Sequence, residues 1–274
     1  MQDATAPFGG LLRRWRASRR MSQLDLSLHA RISSRHLSFL ETGRARPSRE
    51  MVLGLCGALD VPLRERNSLL LAAGFAPAYG EVDLASAEAA QARWALQLIL
   101  RRHEPFAAVV DDRRWNVLMA NASWLRLASL ADPALAALAA CQIVPPPRPN
   151  LLSLLFDRTG LRDHLENFEA LASTFLARVE RELLSETDPN DVRRQYLARP
   201  ELQALWARAE PGAQMAMIIP LELRLGDLRA RVFSTIATLG TAQDVTLHEL
   251  RLEAFYPADA ESEALLRTMA ATST

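Results

Sequence analysis

Two short helical segments separated by a three-residue turn are the feature that most constrains the fold of this 274-residue chain. Ser22 is suited to cap a helix over residues 23–30, and Ser33 or Ser34 can cap a second helix that ends at Glu41. The apolar residues placed to lock the two helices together at a steep angle are Leu26, Ala30, Ile32, Leu37 and Leu40. Such packing leaves the start of the second helix projecting from the surface, as in a helix-turn-helix.

Further helical periodicity surrounds this pair and predicts a five-helix bundle. The other three predicted helices cover residues 8–19, the stretch from Met51 through Leu59, and residues 64–73. Residues 1–80 carry 12 arginines and 6 acidic residues, whereas residues 81–274 carry 20 arginines and 26 acidic residues. A basic N-terminal domain on an acidic remainder indicates that the N-terminal part meets a polyanion.

The kind of basic residue limits that argument. All 32 basic residues are arginine, which together with the abundant alanine is typical of a GC-rich bacterial genome. The number of arginines is therefore weak evidence for phosphate binding, and their positions around the second helix carry the inference.

The N-terminal domain resembles the XRE-type, or lambda-repressor-like, DNA-binding family. The resemblance rests on MSQLDL at residues 21–26 and ISSRHLSFLETGR at residues 32–44, with Arg31 where the family often has glycine. It implies a set of DNA-binding residues, namely Gln23, Ser33, Ser34, Arg35, His36, Ser38, Arg44 and Arg46. A bundle that keeps this fold for protein contacts alone is the alternative.

The resemblance also implies separate roles within that set. Gln23 would bind a phosphate at the start of its helix. Arg35 is the best candidate for a bidentate contact with guanine, beside Ser34 and Ser38, while His36 would touch backbone or base. Arg44 and Arg46 would grip phosphates and set register. Glu41 is expected to pair with an arginine of the first helix.

The remainder of the chain changes to a mixed pattern of strands and helices. A helix is predicted over residues 85–102, then two strands over 106–110 and 115–119 that are joined by a solvated turn at Asp111 and Asp112, and then a helix that starts at Asn121. Further helices are predicted over residues 151–156, 161–185, 191–198 and 200–209. Strands over residues 215–225, 228–239 and 246–255 and a helix from about Asp259 complete the pattern, with Gly226-Asp227 as a hairpin turn. The predicted fold is mainly α with α+β: a helical bundle followed by a PAS-like antiparallel sheet with helices.

This C-terminal part looks like the MmyB-like regulators, which join an XRE-type domain to a PAS-like ligand-binding domain. The resemblance rests on HEPF at residues 103–106, RWNV at 114–117, NLL at 150–152, FSTIATLGT at 233–241 and RLEAFYPAD at 251–259. It implies a helix-turn-helix domain over residues 1–77, a linker and connecting helix over 78–102, and a ligand-binding domain over 103–274. The implied ligand is a long-chain fatty acid or a similar lipid, with no cofactor required.

Apolar and aromatic residues of this domain are candidates to line a ligand cavity. They are Phe106, Val109, Trp115, Val117, Trp124, Phe156, Phe168, Phe175, Phe233 and Ile236, and the polar residues Asn121 and His164 are candidates beside them. For each apolar residue taken singly, a position in an ordinary hydrophobic core is the favoured interpretation. A carboxylate ligand would need a donor, and the candidates are Asn121, His164, Asn167, Arg194 and His248, which the sequence does not rank.

Other functional classes are disfavoured by absent patterns. The five histidines have no metal-ligand spacing, the GxSxG elbow is missing, and a chain without lysine cannot use a Walker A motif or form a Schiff base. No apolar run reaches the roughly 20 residues of a membrane span, and no basic apolar leader opens the sequence. We therefore expect a cytoplasmic bacterial transcription regulator, not an enzyme, that binds double-stranded DNA as a homodimer.

Two alternatives remain at this point. The C-terminal domain could serve only dimerisation or protein contacts, with no small ligand. It could also bind flavin, as some PAS-like domains do, in an enzyme with a DNA-binding appendage.

Overall fold

Two units make up the computed structural model, which describes residues 7–183, 188–208, 220–240 and 242–271. The N-terminal unit contains the described residues up to Val82 together with residues 242–248. The C-terminal unit contains the described residues from Asp83 to Gly240 and those from Glu249 onward. Each unit has its own hydrophobic core.

Five helices lie within residues 7–82 of the N-terminal unit, as the apolar periodicity predicts. They are α1 (Phe8–Ser18), α2 (Gln23–His29), α3 (Ser34–Glu41), α4 (Arg49–Ala58) and α5 (Leu63–Ala72). Serine side chains cap three of them: Ser22 accepts from Asp25 N, Ser33 from His36 N, and Ser48 from Met51 N. Ser33 is thus the N-cap of α3, which decides between the two candidates.

The three-residue turn between α2 and α3 has the expected geometry. Arg31 adopts a positive φ of 54°, the left-handed conformation that glycine takes up most readily. Gly43, just after α3, has φ 73°. The buried core of this unit includes Leu12, Leu26, Leu37, Leu40, Val52, Leu55 and Leu70. α1 lies so close to the end of α3 that a Cβ on Gly9 would stand 2.5 Å from the Glu41 carbonyl oxygen.

The segment of residues 242–248 also belongs to the N-terminal unit. It contains most of α12 (Val245–Glu249), and the Val245 amide donates to the Gly80 carbonyl at 2.8 Å.

A five-stranded antiparallel sheet is the centre of the C-terminal unit. Its strands are β1 (Ala108–Asp111), β2 (Val117–Ala120), β3 (Leu221–Leu225), β4 (Leu228–Ala237) and β5 (Arg251–Pro257), in the order β2-β1-β5-β4-β3. β5 therefore lies in the middle, with Val109 opposite Glu253 on one side and Ser234 opposite Phe255 on the other.

Helices surround this sheet and complete the core. They are α6 (Ala90–Arg102), α7 (Ala122–Ala131), α8 (Leu151–Phe156), α9 (Phe168–Leu183), α10 (Val192–Leu197), α11 (Pro200–Arg208) and α13 (Ala260–Ala271), with 3₁₀ turns at Pro133–Ala140 and Arg162–His164. The predicted fold class is confirmed: a helical bundle followed by an antiparallel sheet with helices.

Several predicted element boundaries are wrong. The predicted strand over residues 246–255 is a short helix, α12, followed by β5, because Asp244 caps a helical turn through the Leu247 amide at 3.2 Å. The predicted helix over residues 161–185 is divided, since Leu165 forms an isolated bridge with Leu223 and α9 begins only at Phe168. Residues 215–219 of the predicted third strand lie outside the described residues.

The predicted solvated turn after β1 is also a misassignment. Asp111 is the last residue of β1 and is buried, because Arg251 of the neighbouring strand β5 pairs with its carboxylate. Trp115, predicted as the first residue of a strand, lies in the turn with φ 68°, and β2 begins two residues later. A positive φ is rare for so bulky a side chain, and here it accompanies a fully buried indole.

Candidate functional site

The exposed start of α3 carries the residues that the family resemblance assigns to base contacts. Arg35 is exposed, and its guanidinium lies over the Phe39 ring at 5.4 Å. Ser34 Oγ is 3.0 Å from Ser27 Oγ of α2, a hydroxyl contact that holds the two helices together. Because Ser27 is buried where the helices meet, a larger side chain there would separate them.

The other members of the set lie on α3 or just beyond its end. Ser38 is half-buried on α3, and the His36 ring turns towards α4, with Nε2 3.3 Å from Met51 Sδ. Arg44 and Arg46 are exposed after the helix end, and no carboxylate in the described parts of the chain is within 4 Å of either guanidinium. Both guanidiniums are therefore available to an external anion.

A buried carboxylate holds α1, α2 and α3 together. Glu41 accepts hydrogen bonds from Arg16 Nε at 2.7 Å, Arg16 Nη2 at 3.0 Å and Gln23 Nε2 at 2.8 Å, and Arg13 lies 3.6 Å away. Burial would raise the pKa of Glu41, but the hydrogen bonds from Arg16 and Gln23 outweigh it and hold the pKa below its ordinary value. The expected pairing of Glu41 with an arginine of the first helix is confirmed.

The same contact gives Gln23 a structural role. Its side-chain amide donates to Glu41, which fixes the start of α2 against the end of α3. The phosphate contact inferred for Gln23 stays a prediction, to be met by its backbone N–H or its remaining amide donor.

An apolar cavity of about 100 Å³ lies inside the C-terminal unit, between the sheet and the helices. Fifteen of its sixteen described lining residues are apolar or aromatic. The lining residues belong to several elements, including α7, α8, α9, β4 and α13. Examples are Trp124, Ala128, Leu154, Phe175, Val232 and Leu266. A concave space lined mainly by apolar and aromatic side chains is typical of small-molecule sites in proteins.

The sixteenth lining residue is an acid. Glu253 lies in the central strand β5, is only 4% exposed, and accepts a hydrogen bond from Ser234 Oγ of β4 at 2.5 Å. Within the described residues, no arginine or histidine forms an ion pair with it. The cavity thus offers a ligand one carboxyl group in an otherwise apolar lining.

Trp115 connects the cavity wall to a buried network of charges. Its indole Nε1 donates to Glu182 at 2.8 Å, and the guanidiniums of Arg178 and Arg251 lie over its ring at 4.4 and 4.9 Å. Arg251 also pairs with Asp111, and its Nη1 is 2.8 Å from Glu182.

Burial and charge act in opposite directions in this network, and burial raises the pKa of Asp111 to about 7 in spite of the neighbouring Arg251. Burial would lower the pKa of the Arg251 guanidinium, but Asp111 and Glu182 raise it above its ordinary value. Burial would likewise raise the pKa of Glu182, which Arg251 and Arg178 instead hold below its ordinary range.

Three of the twelve residues proposed from the sequence, Trp115, Trp124 and Phe175, line the cavity. The other nine lie elsewhere, among them Val109, which is buried. Val117 and Phe156 are buried in adjacent parts of the core, and Phe106 and Phe168 pack against it. Phe233 stacks on Tyr256, and Ile236 is 44% exposed.

The polar side chains proposed as donors to a ligand carboxylate are engaged in other parts of the protein. Asn121 caps α7 and bonds the Ala108 amide, His164 lies 3.2 Å from the Arg224 carbonyl, and Asn167 donates to the Pro220 carbonyl. Arg194 donates to the Asp188 carbonyl, and His248 belongs to the N-terminal unit.

Sequence reasoning missed Glu253 because the predicted strand over residues 246–255 contains this residue but does not reveal which face of the strand meets the cavity. Side chains two residues apart on a strand lie on the same face of the sheet, so Glu253 and Phe255 of β5 share one face. An acid on the same face as an inward phenylalanine was the available signal.

No helix in the described portion of the chain is long and apolar enough to cross a membrane.

Comparison with protein families agrees with this geometry. Residues 7–69 match the model of a helix-turn-helix domain, which covers α1 to α5 except for the last turn. Residues 92–269 match the MmyB-like transcription regulator ligand binding domain, which covers the sheet, the cavity and the helices around them. No curated relative matches the chain. The larger match spans more than half of the chain, and a DNA-binding domain joined to a ligand-binding domain is the composition of a ligand-regulated transcription regulator. The chain therefore belongs to the family of transcription regulators with an MmyB-like ligand binding domain.

Proposed function

We propose that this protein reads a specific DNA sequence with α3 and that an apolar small molecule in the C-terminal cavity regulates that binding. The observation that carries the proposal is the apolar cavity of the C-terminal unit, which supplies a site for a small molecule. The proposal also places the helix-turn-helix domain in residues 1–77, the linker and connecting helix in residues 78–102, and the ligand-binding domain in residues 103–274.

Support for DNA reading comes from the placement of the arginines. Arg35 extends from the first turn of α3, where a side chain can reach a base edge in the major groove. Arg44 and Arg46 follow the helix end, where they can contact phosphates on the rim of the groove. The roles of Ser33, Ser34, His36 and Ser38 beside them are part of the same proposal.

Support for a ligand with an alkyl chain comes from the lining of the cavity. Burying such a chain against apolar walls yields roughly 25 cal/mol for each Å² removed from water. A fatty acid is one molecule with such a chain. The proposal includes no cofactor.

We further propose a homodimer, since helix-turn-helix proteins commonly bind paired half-sites about one helical turn apart. α6 supplies a surface for it, because Trp94 is 58% exposed and Ile99 lies exposed on the same helix. A C-terminal domain that serves dimerisation alone, without a ligand, is the second candidate function, and these exposed apolar residues favour it.

The experiment that tests DNA reading compares two arginine variants. An operator is first selected from a random duplex library with the full-length protein. We expect Arg35→Ala to lose about 1–3 kcal/mol of discrimination between this operator and random duplex. Arg44→Ala should instead weaken binding to both duplexes alike and lower the salt dependence by about one phosphate contact.

The matched control is Arg158→Ala, which removes an exposed arginine of the C-terminal unit. It should leave both duplexes bound as in the unmodified protein. Equal losses on operator and random duplex for Arg35→Ala and Arg44→Ala would refute the assigned roles.

The ligand part has its own test. Organic extraction of the purified protein followed by mass spectrometry should recover an apolar small molecule, and adding it back should change operator affinity. Recovery of none, together with no thermal shift from added apolar compounds, would leave dimerisation as the role of this domain. Absence of absorbance near 450 nm would exclude bound flavin.

A further inference from the structure

We propose that Glu253 selects the head group of the ligand: the cavity takes an apolar molecule with a hydrogen-bond donor, such as an alcohol or a protonated amine, and excludes an ionised carboxylate. This inference rests on the proposed ligand-binding function and names the class of ligand for that same cavity. Its basis is the chemistry of the lining, in which the only polar side chain among the described residues is an acid.

The first step is the position of Glu253. It occupies the central strand of the sheet, flanked by Val109 of β1 and Ile236 of β4, and its side chain lines the cavity. Ser234 satisfies Oε1 with one hydrogen bond, whereas an ionised carboxylate has about four acceptor positions. An occupant of the cavity that carries an O–H or N–H can therefore donate to this carboxylate.

The second step concerns the nearby cations, which are already used. Arg251 lies two residues away on the same strand, but it pairs with Asp111 and Glu182. Arg178 is similarly bound, with Nε 2.9 Å from Glu182 Oε1. Both guanidiniums therefore already pair with carboxylates of the charged network, and Glu253 is not among these partners.

The third step is the energetic contrast between head groups. A donor facing the carboxylate forms a charge-assisted hydrogen bond, which is stronger than a neutral one. An ionised carboxylate would instead bring a second negative charge beside Glu253 inside an apolar cavity, where water does little to screen the repulsion. A fatty acid could then enter only in its neutral, protonated form.

The size of the cavity guides the choice of probes. Its volume of about 100 Å³ is smaller than the roughly 150 Å³ of an apolar cavity known to bind benzene, so compact ligands are appropriate. The matched set is 1-hexanol, hexylamine and hexanoate, which differ only in the head group, with benzene as a probe that has none.

The test is titration calorimetry and thermal shift on the full-length protein at pH 8. We expect 1-hexanol and hexylamine to bind at least tenfold more tightly than hexanoate. Glu253→Gln should reduce this preference by about 10- to 100-fold, because a neutral amide accepts more weakly and can donate to hexanoate.

Two control variants separate the head-group effect from a general disturbance. Ser234→Ala removes the hydrogen bond to Glu253 but leaves its carboxylate, so the preference should persist. Glu169→Gln changes an exposed acid on α9 and should leave all affinities as they were. The ranking in the unmodified protein tests the proposal even where Glu253→Gln fails to fold.

The outcomes distinguish this inference from the function on which it rests. Binding of benzene with hexanoate equal to or tighter than 1-hexanol would overturn the head-group selection and leave the ligand site intact. Failure of every probe, including benzene, to bind would overturn the ligand site itself.

Discussion

Ala128 offers a direct way to fill the cavity in the C-terminal unit. It lies on α7, is buried, and lines the space of about 100 Å³. Replacing it with leucine adds three carbon atoms on a helix that accepts leucine almost as well as alanine. The added side chain points into the volume that we assign to the ligand.

The expected gain in stability can be worked out in two ways. Cavity volume costs about 24 cal/mol per Å³, so filling about 100 Å³ yields up to about 2.4 kcal/mol. Burying three methylene-sized groups at about 0.8 kcal/mol each gives a similar figure. For a domain of this size, about 2 kcal/mol corresponds to a rise in Tm of roughly 4–8 °C.

Scanning calorimetry of the full-length protein, with and without 1-hexanol, measures both effects. The alcohol should stabilise the unmodified protein, by about 2.7 kcal/mol at a hundredfold excess over Kd. Ala128→Leu should raise the Tm of the C-terminal transition and abolish the response to the alcohol. Ala122→Leu, at the exposed start of the same helix, should do neither.

A lower Tm for Ala128→Leu, combined with an unchanged response to the alcohol, would refute this reasoning. It would mean that the leucine is forced into atoms already in contact and that the ligand binds elsewhere.

Three further predictions concern the other features of the molecule. The pKa of Glu41 is lowered by folding, so its contribution to stability is present above its ordinary pKa of about 4.5 and is lost as the pH falls through the lowered value. Hydrogen exchange in α1 should show this loss of stability at acid pH, and Glu41→Gln should make the stability of α1 less dependent on pH. Gly9→Ala should destabilise the N-terminal unit by about 1–3 kcal/mol because its Cβ would meet the Leu40 and Glu41 carbonyls. Gly10→Ala should not, because the nearest atom to its Cβ is 4.0 Å away. Amide exchange across α1 and α3 measures both variants, and equal destabilisation would contradict the close approach of α1 to α3. Trp94→Glu should shift sedimentation towards monomer and Gln91→Glu should not, so a dimer that survives Trp94→Glu would exclude this face of α6.

Local chemistry explains why the N-terminal unit could be predicted well. The caps at Ser22 and Ser33 involve residues three positions apart, and the left-handed turns at Arg31 and Gly43 depend on their immediate neighbours. The pairing of Glu41 with Arg16 was also within reach, since helix packing of this kind places an inward acid beside α1. Periodicity and capping therefore suffice for this part of the fold.

The ligand cavity depends instead on contacts between distant segments. Asp111 is buried only because Arg251 reaches it from another strand, and Trp115 is held in a left-handed turn by partners on α9 and β5. Side-chain type alone did not identify the residues that line the cavity. Val232 lines it, whereas Phe233 and Ile236 of the same strand do not. Register across the sheet, which the sequence does not reveal, decided which side chains meet the cavity.

Trp115 also makes the cavity observable by optical means. Its indole forms part of the cavity wall, while two guanidiniums lie over the ring and Glu182 accepts its N–H. The excited state of an indole responds to the charges around it, so a ligand that touches this ring changes the emission of the protein without any added dye. Trp124 shares the same wall, which gives the protein two built-in fluorophores beside the proposed ligand site.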